Sequence, residues 1–258
     1  MNDNHGTQAV GRALSLLMLF DDEKPEWSLR EIVQASGINR TTAYRLLRAL
    51  EAAHMVAQDS LSGAYRLGSA LIVLGARAQR ANPLQAVSQS VLVALAHKTG
   101  EMASVEILDG DKTLILNEVK GDQQRRMGVS VGNRWPAHTT STGKVLLAHL
   151  PAQARAALWP DGLPALTPHT ITDRAALEQQ LEQVAAQGYA EAHNELEMGF
   201  SEVGAPIYDH EGQVVAALSV GGSSVRLTRE HVHELIGLVQ RAALDVSARL
   251  GYQRAVTS

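Results

Sequence analysis

Apolar positions recur first at helical spacing and then at strand spacing along the chain. Gln8 to Phe20 puts Val10, Ala13, Leu14, Leu17 and Met18 on one face of a helix. The polar stretch "DDEKPEW" reads as a loop. Ser28, with Glu31 three residues on, has the form of a capping box, and Leu29, Ile32 and Val33 line a second helix that stops near Gly37. Asn39 is placed to cap a third helix, running from Arg40 to about Ala53. "MVAQDSLSGAYRLG" then predicts two short strands around a turn at Ser60 to Gly63, the second being Ala64 to Leu67. Three helices followed by a β-hairpin is the outline of a winged helix-turn-helix.

Ser69 to Ala81 is again helical, with Leu71, Ile72, Leu74 and Ala78, and Pro83 breaks it. A further helix carries Leu84, Val87, Val91, Leu92 and Leu95 inward and stops at Gly100. Then the character changes. "MASVEILDGDKTLILNEV" predicts a hairpin with Asp109-Gly110 in its turn. "RRMGVSVGNRWPAHTTSTGKVLLAHLP" predicts a strand, a glycine-rich loop and a helix opening near Thr142. Asp173 to Gln187 is helical with Gly188 at C′, short strands follow around a turn at Asp209 to Gly212, and a last helix runs from after Thr228 to about Leu250. Without a regular βαβ rhythm, the fold class expected is α+β: an antiparallel sheet flanked by helices. The expected division is a DNA-binding domain at 1–68, a linker helix at 69–83 and a sensor domain at 84–258.

Composition narrows the picture. There are no cysteines, which excludes disulfides, thiolate metal sites and a cysteine nucleophile, and fits a reducing, cytoplasmic setting. The apolar run Ala13 to Phe20 is too short to span a bilayer and lacks the flanks of a signal peptide, so no membrane partner is expected. The net charge is −4, unevenly spread. Residues 1–80 hold nine Lys/Arg against eight Asp/Glu, a net of +1, whereas residues 81–258 hold fourteen against nineteen, a net of −5. A local basic face on a mildly acidic chain suits a sequence-specific DNA binder better than a general polyanion binder.

That face lies in "SGINRTTAYRLLRAL", where Arg40, Arg45 and Arg48 stand with no acidic residue among them. A helix-turn-helix needs a bracing helix, a tight turn and a second helix whose first residues enter the major groove. Gly37 supplies the turn; Ile38, Ala43 and Leu46 seat the second helix; Asn39, Arg40, Thr41, Thr42 and Arg45 lie outward at its start. Arg grips guanine O6 and N7, and Thr or Tyr44 bonds phosphates or bases. Arg40 and Arg45 are assigned to bases or nearby phosphates, and Arg48 and Arg66 to the backbone. Ser28, at the start of the bracing helix, is counted with them. The other reading is an amphipathic helix with a solvated basic side.

A second candidate site is "PAHTTSTGK". Ser141, Thr142 and Gly143 open a helix whose free N–H groups and dipole form a cradle for an anion or a carbonyl oxygen; a plain N-cap is the alternative. Lys144 does not stand at Walker spacing, and no GxSxG, HExxH or Rossmann fingerprint occurs, so neither enzymatic activity nor a cofactor is expected. His231 and His233, at i and i+2 on one helix, diverge too far to share a metal. His193, Glu195, Glu197 and Glu202 form a weighed but unselected metal cluster, and the metal expectation is none. Two alternatives to a regulator stay open: a small-molecule-sensing dimerisation module, and a hydrolase-like enzyme using Glu195 and Glu202, neither binding DNA.

"SLREIVQASGINRTTAYRLLRALEAAHMVAQDSLSGAYRLG" resembles the DNA-binding domain of IclR-family transcriptional regulators, with His54 where the family has glycine. The resemblance continues through "PAHTTSTGKVLLAHLP" and "QGYAEAHNELEMGFSEVGAPIYDHEGQVVAALSVGG". It implies a winged helix-turn-helix, a linker helix and a GAF-like effector domain, acting as a homodimer or dimer of dimers on palindromic double-stranded operator DNA, as repressor or activator. It also implies an effector pocket walled by Met127, Val129, Trp135, Ser141 and Thr142 on one side and by Ala192, Glu202, Ser219 and Gly221 on the other. The chain departs from the family at Ala192, commonly acidic, and at Glu202, commonly small. A carboxylate at Glu202 repels a small 2-oxoacid unless it is protonated. The expected effector is therefore hydroxylated, aromatic or sugar-derived, with donors for Glu202 and a face for Trp135. The other reading turns Glu202 to solvent or pairs it with Arg126 or Arg134.

Overall fold

The computed structural model describes residues 4–122 and 131–253, with the side chains of residues 4–6 left aside. It divides into two compact units, Met1–Ala81 and Asn82–Ser258.

The first unit holds α1 (Asn4–Leu17), β1 (Glu26–Trp27), α2 (Leu29–Ser36), α3 (Arg40–Ala52), β2 (Val56–Gln58), β3 (Tyr65–Leu67) and α4 (Ser69–Ala81). Its core is Leu16, Phe20, Ile32, Leu47, Val56 and Tyr65. The face expected of α1 is corrected here. Leu16 and Phe20 point inward and Leu17 of the expected face packs partly against them, while Val10, Leu14 and Met18 are exposed. Leucines, methionine and phenylalanine occupy both sides of this helix, so spacing alone did not choose between its faces. The helix also ends earlier than expected; Met18 to Phe20 continue as tight turns, with the Phe20 N–H on the Leu17 carbonyl. The "DDEKPEW" stretch is not all loop, because Glu26 and Trp27 pair with Arg66 and Tyr65 and make a three-stranded sheet in the order β1-β3-β2.

Caps set the helix-turn-helix. Ser28 and Glu31 form the reciprocal capping box, Gly37 takes the left-handed conformation at φ 66°, and Asn39 Oδ1 accepts the Thr42 N–H at 2.9 Å. Ala43 is fully buried, its small side chain letting α3 pack closely. His54 stands at φ 57°. A left-handed residue with a Cβ costs about 1–2 kcal/mol, which glycine avoids. Gly68 is required opposite it, since a Cβ there would lie 2.1 Å from the His54 carbonyl oxygen.

The second unit holds α5 (Pro83–Thr99), β4 (Met102–Asp109), β5 (Lys112–Val119), β6 (Arg134–Pro136), α6 (Ser141–Ala148), α7 (Ala152–Ala156), α8 (Arg174–Gln187), β7 (Ala190–His193), β8 (Phe200–Tyr208), β9 (Val214–Ser223) and α9 (Arg229–Arg249). All six strands form one antiparallel sheet in the order β6-β5-β4-β9-β8-β7. The β4–β5 turn is Gly110-Asp111, one residue later than expected, since Asp109 pairs with Lys112. α6 opens at Ser141, within one residue of the expected start, with Thr140 as its N-cap; the Thr140 hydroxyl accepts the Gly143 N–H at 3.0 Å. The strand expected before the glycine-rich loop, and with it Met127 and Val129, falls outside the described residues.

Alternation along the strands gives this sheet two faces. Ala103, Val105, Val203, Ala205, Ile207, Ala216, Leu218 and Val220 form one core with apolar residues of α5 and α9. The residues between them, Ser104 and Glu106, Glu202 and Gly204, Ala217 and Ser219, belong to the other face, which α6 covers. A register shift between Val105 and Glu106 interrupts the β4–β5 ladder beside these residues. Among the described residues no helix is long and apolar enough to cross a membrane.

Candidate functional site

On α3, Asn39, Arg40, Thr41, Tyr44, Arg45 and Arg48 are all exposed, and Thr42 is half-buried beneath its cap. The buried Ala43 and Leu47 on the opposite side fix this orientation. Arg48 Nη1 meets Glu51 Oε2 at 2.7 Å, an exposed pair on the helix surface. Arg66 is exposed on β3. The Ser28 hydroxyl is committed to Glu31, whose Oε2 it meets at 2.7 Å.

In the second unit, α6 and the polar face of the sheet enclose a group of buried polar side chains. Glu202 on β8 is 4% exposed and its Oε1 accepts the Ser141 backbone N–H at 2.5 Å. Of the alternatives left open for Glu202, it does not face solvent, and Arg134 pairs instead with Asp109 at 2.6 Å; Arg126 lies outside the described residues. Glu106 on β4 accepts the Thr142 hydroxyl on Oε2 at 2.7 Å and the Ser104 hydroxyl on Oε1 at 2.9 Å. The Ser104 and Ser219 hydroxyls meet at 3.0 Å. Burial first, and then the Glu106 charge, push the Glu202 carboxyl up to about 8, against the pull of the Ser141 N–H and Lys144. Burial also raises Glu106, opposed by the Thr142 hydroxyl. At neutral pH Glu202 therefore carries a proton.

Beside them Lys144 is fully buried, with Nζ 2.6 Å from Glu195 Oε1 and 3.2 Å from the Glu191 carbonyl. Burial pulls this ammonium down and Glu195 opposes the shift. Gly143 admits no side chain, since a Cβ would lie 2.0 Å from the Ala137 carbonyl oxygen; the start of α6 is thus pressed onto the 3-10 turn Ala137–Thr139.

These two arrangements, a capped helix-turn-helix and an α+β unit with polar residues gathered at a helix start, match known families in the same order. The model of the IclR helix-turn-helix domain matches residues 9–60, and that of the bacterial transcriptional regulator IclR C-terminal domain matches residues 77–248. The chain belongs to the IclR family of transcriptional regulators. The HTH-type transcriptional regulator XynR of Escherichia coli (strain K12) is 32% identical over 95% of this chain and 98% of its own length. An IclR transcriptional regulator from Alicyclobacillus acidocaldarius is 31% identical, with a TM-score of 0.82 over 95% of this chain and 99% of that one. An IclR regulator from Silicibacter sp. superposes with a TM-score of 0.83 at 27% identity, over 96% of this chain and 98% of that one.

Within this IclR-family chain the residues of the second wall come together, while Met127 and Val129 of the first lie outside the described residues. Ala192 and Gly221 flank Glu202 in the sheet, one on each neighbouring strand, and Ser219 lies one inward-facing position along β9 from Gly221. Ser141 and Thr142 face them from α6 through their bonds to Glu202 and Glu106. Trp135 stands on β6, at the far edge from β7, paired with Thr113 and 36% exposed. His193, Glu195 and Glu202 do not converge as a metal cluster: His193 meets Glu191 and Ser201, Glu195 meets Lys144, and Glu202 meets Ser141. Among the described residues no group of three His, Asp or Glu is arranged to hold a metal.

Sequence reasoning missed Glu106, Ser104 and Thr140, and the seating of Lys144 on Glu195. "MASVEILD" alternates cleanly, and a polar position in such a strand reads as solvent-facing. Nothing local says that α6 covers that side.

Proposed function

We propose that this regulator binds double-stranded operator DNA through α3 and responds to a small-molecule effector held between the start of α6 and the polar face of the sheet. The observation that carries the DNA reading is the row Asn39, Arg40, Thr41, Tyr44, Arg45 and Arg48, exposed along a helix whose opposite side is locked in the core. Arg40 and Arg45 contact bases or adjacent phosphates; Arg48 and Arg66 grip the backbone. Two copies present two such helices about one helical turn of DNA apart, about 34 Å, or a multiple of it. The effector is hydroxylated, aromatic or sugar-derived, with hydroxyls that both donate and accept among the polar groups around Glu202 and Glu106. Its binding biases one arrangement of the regulator over another, a coupling of about 1–3 kcal/mol. The role is regulatory, not catalytic: Glu195 and Glu202 are occupied by different partners, which speaks against a shared hydrolytic dyad.

The test is selection of bound fragments from genomic DNA by the full chain, followed by affinity measurements with the Arg40→Ala/Arg45→Ala variant. Operator affinity is expected to fall at least about 100-fold, with the melting of the second unit unchanged. Wild-type affinity in the double variant refutes the assignment of α3.

A further inference from the structure

The positive end of α6 is already occupied by a carboxyl group from the chain itself. α6 has eight residues, and three of the N–H groups at its start are bonded from within the chain. Ser141 N–H is bound by Glu202 Oε1, Gly143 N–H by the Thr140 hydroxyl, and Lys144 N–H by the Thr140 carbonyl. The position is built for this reach. Glu202 stands between Ala192 and Gly221 in the sheet, both small. A Cβ on Gly221 would lie 3.2 Å from the Glu202 Cβ and 2.6 Å from Phe200, so a larger residue there would displace one or the other. The Ser141 hydroxyl is fully buried, lies beside the Glu202 carboxyl and helps to hold its pKa down, yet forms no well-aligned hydrogen bond; it packs on the backbone of Gly204, two residues beyond Glu202. A buried hydroxyl without an aligned bond, beside a seated carboxyl group, marks a cradle with donor capacity left over.

We propose that Glu202 is a built-in occupant of the amide cradle at the start of α6, standing where the carboxylate of a ligand would bind. It thereby excludes small carboxylates from this cradle by filling it. This rests on reading the second unit as an effector domain. A helix start with free N–H groups favours an anion or a carboxyl oxygen. Here that preference is met internally, so a carboxylate ligand must displace Glu202 and also lie beside Glu106.

The experiment titrates acetate and glyoxylate into the full-length protein, its Glu202→Ala variant and its Glu202→Gln variant, by calorimetry and by following the Ser141 amide resonance. Wild type is expected to show no saturable binding at Ser141. Glu202→Ala is expected to gain it, with an affinity at least about tenfold above wild type. Glu202→Gln is expected to behave as wild type, because the amide oxygen keeps the cradle filled. Saturable acetate binding at Ser141 in wild type overturns the proposal, and this outcome needs no variant to fold. A folded Glu202→Ala protein that gains nothing also overturns it. If Glu202→Ala gains acetate but operator affinity never responds to any bound ligand, the cradle assignment stands and the effector reading falls.

Discussion

Replacing Glu202 by glutamine should flatten the dependence of stability on pH. The carboxyl is buried, bonded to the Ser141 N–H and pushed from 4.5 to about 8. Below 4.5 the folded and unfolded chains both hold the proton. Between 4.5 and about 8 only the folded chain holds it, so stability falls by about 1.4 kcal/mol for each pH unit. Above about 8 neither holds it and the loss is complete, in total about 5 kcal/mol. The groups around it are Glu106 and, beyond that, Glu118 on the sheet, with Lys144 and its partner Glu195 on the α6 side. Glutamine has the shape and neutrality of the protonated acid, accepts the same N–H, and does not titrate. From pH 5 to 8 the wild-type second unit should therefore lose stability more steeply than the variant. At about 2–4 °C per kcal/mol for a domain of this size, the melting curves should diverge by about 10 °C across that range. The assay is thermal unfolding of both proteins at several pH values, read by circular dichroism. Part of the wild-type slope belongs to Glu106, so the difference between the two proteins is the quantity that counts. Parallel curves would show that Glu202 is ionised in the folded state, and the reasoning from burial and from Glu106 would be wrong.

Three further outcomes are expected. Arg48→Ala should weaken operator and non-operator DNA alike and lower the slope of log affinity against log salt by about 1, as for a phosphate contact; a loss confined to one base position would contradict this. Gly68→Ala should destabilise the first unit by about 1–3 kcal/mol through collision with the His54 carbonyl, whereas His54→Gly should stabilise it by about 1 kcal/mol; denaturant melts of both variants check the pair, and a neutral Gly68→Ala would mean the wing moves freely. Glu195→Ala should cost about 3–5 kcal/mol by stranding the buried Lys144 ammonium, and adding Lys144→Met should recover most of that loss; chemical unfolding of the single and double variants decides it, and a single variant as stable as wild type would argue that Lys144 is neutral.

What the sequence by itself determined is what local chemistry determines. The Ser28–Glu31 box, the Gly37 turn and the Asn39 cap are contacts over two to four residues, so the helix-turn-helix and the exposure of Arg40 and Arg45 could be read directly. The same holds for Gly100, Asp173, Gly188 and Thr228 at the ends of later helices. His54 stands where the family pattern has glycine, and its backbone is left-handed; that signal came from the resemblance, not from the local sequence. Tertiary structure decided whatever depends on the element packed opposite. α1 is apolar on more than one side, and only the positions of Ile32 and Leu47 turn Leu16 inward and leave Leu14 outside. β4 and β8 alternate, which fixes two faces but not whether the polar one meets water. α6 covers that face, so Glu106, Glu202 and Lys144 are buried and must find partners within the chain. The bond that defines the candidate site, Glu202 to the Ser141 N–H, joins residues 61 positions apart. Periodicity records which residues share a face; only packing across that distance decides what the face meets.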